Sequence, residues 1–167
     1  MAELETVMKK IVLIIAGICL LALPAWAGTP GAGTNVVGAS GNISIEPGAF
    51  KNINLAASYG TFIQDGIMLG GGAGIGINDG QDTAVSLAAN ASYWMDMGGM
   101  SLFIGANIGL PVSPDFDATL GIDIGIAHWL ADNYAITLTD QTDLGSVKSF
   151  DADNLTNSLV LGVATFY

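Results

Sequence analysis

The chain has 167 residues, 23 of them glycine, and carries 15 acidic side chains against four lysines and no arginine, a net charge of −11. That length suits one domain. The absence of clustered cations excludes a phosphate-binding face, so nucleic acid is not an expected partner.

The chain begins with a targeting pattern. Lys9 and Lys10 precede 13 uncharged, mostly aliphatic residues, 11–23, which end at Pro24 and are followed by Ala25-Trp26-Ala27. A basic segment, an apolar segment and a small-residue cleavage site describe a secretory signal peptide over residues 1–27. Thirteen residues fall short of the roughly 20 needed for a membrane-spanning helix. The first seven residues are acidic, so Met8 is a candidate start. Cys19 lies within the signal segment, so the mature chain has no cysteine for a disulfide or a thiolate metal site. It keeps Lys51 and Lys148 against 13 acids, and its charge stays at −11.

Residues 28–40 (G-T-P-G-A-G-T-N-V-V-G-A-S) read as a flexible periplasmic lead-in without a site, and 41–167 as the folded domain. The first strand is expected at 42–46 and the second at 52–63, with Ile53, Leu55, Ala57, Tyr59 and Ile63 on one face. Gln64-Asp65-Gly66 then supplies a hairpin turn. In the third strand, 66–78, Ile67, Leu69, Ala73, Ile75 and Ile77 share one face, and Gly70, Gly72, Gly74 and Gly76 the other. A fourth strand, 83–95, presents Val85, Leu87, Ala89, Ala91 and Tyr93. A fifth, 101–110, presents Leu102, Ile104, Ala106, Ile108 and Leu110, with Phe103, Gly105, Asn107 and Gly109 opposite. Residues 111–117 make an acidic loop.

The plainest alternation lies in 118–138. Leu120, Ile122, Ile124 and Ile126 alternate with Gly121, Asp123, Gly125 and Ala127. After Asp132-Asn133 the pattern restarts at Tyr134, Ile136 and Leu138. A period of two marks strands, so this is a hairpin of strands six and seven. Residues 139–154 read as the longest loop, and 155–167 as strand eight. On all these strands the face opposite the apolar one is small or mildly polar. A soluble half-buried strand would carry Lys, Glu or Arg there. A greasy outer face and a small inner face suit a barrel wall in lipid. The expected fold is an all-β, antiparallel up-and-down transmembrane barrel of about eight strands.

Three turns share an aromatic followed by Asp, namely Phe62…Asp65, Trp94…Asp96 and Trp129…Asp132, and the aspartates are 31 and 36 residues apart. This spacing fits pairs of strands with one tight turn and one longer loop. The tight turns and aromatics are then expected at the periplasmic rim, as an interfacial girdle, and the acidic loops at the outer rim.

The segments "Y-G-T-F-I-Q-D-G-I" and "G-I-A-H-W-L-A-D-N-Y-A-I", and the ending "S-L-V-L-G-V-A-T-F-Y", resemble the eight-stranded outer-membrane β-barrel superfamily that includes the OmpA-like, OmpX-like and opacity-type porin families. The resemblance runs from about Asn42 to Tyr167. It implies a location in the bacterial outer membrane, contact with outer-membrane lipid and lipopolysaccharide, and insertion by the barrel-assembly machinery. That machinery would read the C-terminal strand with its alternating Leu159, Leu161, Val163 and terminal Tyr167. The lack of arginine departs from the salt-bridged interior of OmpA-like proteins.

The expected role is structural, at the cell surface or as a narrow porin-like barrel, in a monomer. The alternatives are an adhesin-like module that binds through its acidic loops and a soluble secreted β-protein. No catalytic, cofactor-binding or metal-binding residue is assigned, and an enzyme is not expected. His128, the single histidine, is expected at the rim beside Trp129; a lone histidine without a serine–aspartate partnership or a ligand cluster makes no site. Asp123, the one acid placed in mid-strand, is read as a lumen carboxylate bonded to Asn90, Asn107 or a threonine, since eight strands leave an interior just wide enough for side chains. The loop acids Asp79, Asp82, Asp115, Asp117, Asp140, Asp143, Asp151 and Asp153 do not match a calcium loop's spacing. The row G-G-G-A-G-I-G lacks the Lys-Ser/Thr of a phosphate loop.

Overall fold

A computed structural model of the chain describes residues 30–46, 49–78, 83–112, 117–147, 149–150 and 155–167. The signal segment 1–27 lies outside them. The described residues form β1 (Asn35–Glu46), β2 (Ala49–Gln64), β3 (Ile67–Asn78), β4 (Ala84–Asp96), β5 (Met100–Pro111), β6 (Thr119–Ala131), β7 (Tyr134–Ser146), the two-residue β8 (Ser149–Phe150) and β9 (Thr156–Phe166). Every pairing is antiparallel. Consecutive strands pair from β1 to β7, β7 pairs with β9, and β9 returns to β1, with Val36 opposite Phe166 and Gly41 opposite Leu161. Eight strands thus close into a barrel, which leaves no backbone edge to be satisfied by solvent or lipid.

The register sets the two faces. Leu55, Leu69, Ile75, Leu87, Ile104, Ile122, Ile124, Leu138, Leu159 and Val163 all point outward and are exposed over more than a third of their surface. The glycine row of β3 faces inward, with Gly70 opposite Asn90, Gly72 opposite Ala88 and Gly74 opposite Ser86. Large apolar side chains outside and small ones inside invert a water-soluble core and match a wall solvated by lipid.

Two boundaries differ by several residues from the sequence reading. β1 begins at Asn35, seven residues before the expected 42, so residues 35–40 belong to the wall and not to a flexible lead-in. The small residues Gly38, Ala39 and Ser40 gave no apolar alternation, yet they pair with β2 on one side and β9 on the other. Residues ahead of them are also engaged: Gly33 N–H donates to Phe62 O at 2.7 Å, and Ala32 N–H to Asp65 Oδ1 at 3.0 Å. β7 extends through Ser146, so the first half of the expected 139–154 loop is strand. Its polar run T-D-Q-T-D hid the pairing with β6 and β9. Asp140 and Asp143 therefore sit in the wall, and Asp123 is not alone as a strand acid.

Candidate functional site: the two halves of the lumen

At the end that carries the tight turns, the lumen is filled by aromatic rings. Phe62, fully buried, packs edge-on to Trp94 at 5.8 Å between centroids. Trp94 stacks on Phe103 at 4.6 Å and 20° and meets Phe166 edge-on at 5.9 Å, and Phe166 lies 4.4 Å from Trp129. Val36, Met68, Ala127 and Ala135 complete the cluster. Stacked and edge-on pairs are the favoured arrangements of aromatic quadrupoles. Buried indoles need partners for their N–H groups, and both have one. Trp94 Nε1 donates to Ser92 Oγ at 2.9 Å and Trp129 Nε1 to Ser101 Oγ at 3.0 Å. The register shifts beside Phe62 and beside Trp129, where the strands leave their regular pairing next to the turns. Such irregularities at a barrel rim re-aim side chains. Gly125 makes room for the plug, since a Cβ there would overlap the Phe103 ring.

Phe62, Trp94 and Trp129 are therefore not an interfacial girdle. The outward-facing aromatics at this end are Tyr59, Tyr93, Tyr134 and Tyr167. Tyr59 OH donates to Asn35 Oδ1 at 2.9 Å. An apolar ring with a polar tip suits the membrane–water interface.

Beyond the plug the lumen is spacious and polar. A cavity of about 600 Å³ reaches the rim of the longer connections, lined by the β3 glycines, by Asn54, Asn90, Asn107 and Gln141, and by the carboxylates Asp123 and Asp143. A smaller cavity of about 210 Å³ lies between this layer and the plug, touching Met68, Trp94, Phe103 and Asp123. Asp123 accepts from Asn107 Nδ2 at 2.9 Å through each oxygen, one of the partners expected for it. Asn107 stands over Gly121, where a Cβ would come within 2.8 Å of its amide. Asp143 turns one oxygen to Gly145 N–H at 2.8 Å. The amide–carboxylate layer is thus a hydrogen-bonded crossbar that braces β5 against β6.

The remaining acids are placed as follows. Asp117 accepts from Ser146 Oγ at 2.6 Å. Asp140 lies on the outward register of β7, between Ile124 of β6 and Leu159 of β9. Asp79, Asp82, Asp115, Asp151 and Asp153 lie outside the described residues. His128 is on the outward register of β6, paired with Met100 and Ile136, while its neighbour Trp129 points inward. Among the described residues neither ring nitrogen of His128 has a hydrogen-bond partner.

The plug could not be read from alternation. At the turns both faces of a strand carry apolar residues, so a period of two loses its phase. The one available signal was the reserve of Trp and Phe at turn-proximal positions, with tyrosines at separate positions.

No protein-family description matches the chain, and no curated protein matches it. Solved structures do. The N-terminal β-barrel domain of Pseudomonas aeruginosa OprF aligns with a TM-score of 0.59 and 13% identity, over 83% of this chain and 100% of that one. Neisserial surface protein A aligns with a TM-score of 0.54 and 15% identity, over 84% and 100%. A de novo designed transmembrane β-barrel aligns at 0.53 and 12%, over 84% and 100%. The fold is that of a small outer-membrane-type β-barrel.

Proposed function

We propose that this chain is an integral outer-membrane β-barrel, exported by a cleaved signal peptide, with a non-catalytic structural or surface role and without a continuous water path through it. The observation that carries this reading is the aromatic plug. Phe62, Trp94, Phe103, Trp129 and Phe166 occupy the lumen at one end, where a conducting barrel needs polar, hydrated walls. The polar cavity would then be a blind vestibule facing the longer connections. Short turns belong on the periplasmic side of such barrels, so the plug is the periplasmic stopper. The protein acts as a monomer, is solvated by lipid and lipopolysaccharide, and is inserted by assembly machinery that reads β9 and Tyr167.

The test is conductance of the refolded chain in planar bilayers, with heat-dependent gel mobility reporting the closed barrel. The wild type should shift on the gel and pass no steady current. A Trp94→Ala/Phe103→Ala double variant that still shifts should conduct. Steady unitary currents from the wild type would overturn the stopper and restore the narrow porin-like reading.

A further inference from the structure

The turn between β4 and β5 reads M-D-M-G-G-M over residues 95–100. Gly98 and Gly99 take left-handed backbone angles, φ 72° and 92°, which glycine adopts without steric cost. Asp96 Oδ1 accepts from Gly98 N–H at 2.8 Å, and Met97 N–H donates to Met100 O at 2.8 Å, so the tight turn sets Met97 opposite Met100. Met100 in turn pairs directly with His128 of β6, and Trp129 N–H bonds Gly99 O at 3.3 Å to fix β6 against the turn. Met97, Met100 and His128 therefore follow one another in a single row across the strands, where directly opposed residues on one face have Cβ atoms about 5 Å apart.

His128 is only 7% exposed, and neither Nδ1 nor Nε2 has a hydrogen-bond partner. A buried imidazole with two idle nitrogens is costly, and such a group in a folded protein calls for a specific reason. Its row neighbours offer thioethers. Thioether sulfur is a weak hydrogen-bond acceptor but a good ligand for soft ions, and imidazole nitrogen completes such a set. Among the described residues no three His, Cys, Asp or Glu side chains gather for a harder ion. Met97 is 60% exposed at the turn, so an ion reaches the row from water.

We infer that Met97, Met100 and His128 form a binding site for a soft monovalent metal ion, Cu(I) or its redox-inert analogue Ag(I). The ion takes one imidazole lone pair and two thioether sulfurs at the short-turn rim, outside the lumen and separate from the plug. Binding draws only on lone pairs, one from imidazole and two from thioether, and no electron is exchanged.

The experiment titrates the full refolded chain in chloride-free detergent buffer with silver nitrate, by calorimetry and by the ¹³C-methyl resonances of its methionines. Gel mobility without boiling confirms a closed barrel in every variant. One equivalent should bind and shift the methyls of Met97 and Met100, leaving Met68 of the plug in place. Met97→Leu/Met100→Leu and His128→Leu should each weaken binding at least tenfold. Silver should also raise the unfolding temperature of the wild type and not of these variants. Equal uptake by the wild type and the double variant, or methyl shifts confined to Met68 and Met95, would overturn the assignment.

Discussion

Ile104 offers a sharp test of which solvent the barrel wall meets. It lies mid-way along β5, points outward, and is 47% exposed, with Tyr93 and Ile124 as its cross-strand neighbours. Neither neighbour carries a negative charge, and the ring face of Tyr93 offers a cation at most about 1 kcal/mol at an exposed site. If water bathed this face, Ile104→Arg would be an ordinary surface substitution, within about 0.5 kcal/mol of neutral. In a bilayer the same guanidinium sits in the apolar wall between the midplane, where it would cost about 2–4 kcal/mol, and the tyrosine rim, where it would cost about 0–1 kcal/mol, so the expected loss is about 1–3 kcal/mol, a factor of roughly 5 to 150 in the folding equilibrium. The assay is reversible denaturant unfolding in lipid vesicles, followed by fluorescence of Trp94 and Trp129, whose plug environment is lost on unfolding. Leu155→Arg is the matched control. Leu155 is also 47% exposed but lies just before β9, at the rim of the longer connections, where the cost should fall to about 0–1 kcal/mol. Equal, near-zero effects at the two positions would refute the lipid-facing assignment of the whole outer register.

Three further outcomes follow from individual side chains. Asp140 carries a carboxylate between Ile124 and Leu159 on the outer face, so Asp140→Leu should stabilise the barrel in vesicles by about 1–2 kcal/mol, read as a higher denaturant midpoint. An unchanged midpoint would put Asp140 above the apolar band. Gly125→Ala drives a methyl into the Phe103 ring and should cost about 1–3 kcal/mol while weakening the near-ultraviolet dichroism of the Trp94–Phe103 stack. An unaltered spectrum would show that Phe103 does not depend on that space. Asn107→Leu removes the donor that serves both oxygens of Asp123 and should cost about 1–3 kcal/mol; adding Asp123→Leu should recover most of the loss in a double-mutant cycle. Simple additivity there would mean that the crossbar carries no coupling.

How far the sequence disclosed this architecture depended on whether the two faces of a strand differ. Along β3 to β6 they differ strongly. Ile67 to Ile77 against Gly70 to Gly76, and Leu120 to Ile126 against Gly121 to Ala127, fix both the strand and its outward side, because a one-residue slip would carry every aliphatic side chain into a narrow lumen. Asp123 was legible for the same reason: a single charge on the small-residue face has to find a donor inside, and Asn107 is on the adjoining strand. The contrast fails in three places. In residues 38–41 both faces are small or polar, so alternation starts β1 too late. In 139–146 both are polar, so the end of β7 passed for loop and Asp140 and Asp143 for loop acids. At the tight turns both faces are apolar, so the rings of Phe62, Trp94 and Trp129 were assigned to the interface and not to the lumen.

That last failure bears most on function, because filling and lining a lumen demand different chemistry at different heights of the same wall. The tyrosines differ from the other rings in having a hydroxyl that wants water, and at Tyr59, Tyr93, Tyr134 and Tyr167 they face out at the rim. Phe62, Phe103 and Phe166 have no such group, and the indoles of Trp94 and Trp129 satisfy theirs on serines of the same wall. Turn-proximal aromatics in a glycine-lined barrel therefore sort by their polar tips: phenols to the interface, phenyl rings and serine-partnered indoles to the plug. The glycines that free volume for the vestibule higher up make the same point from the other side. They line the cavity of about 600 Å³, while the rings close the lumen below it. A barrel built to conduct would spread small polar residues along its whole height. Here the open space stops at the Asp123–Asn107 layer apart from a gap of about 210 Å³, and below it Ser92 and Ser101 are taken up by the indoles of the packed rings.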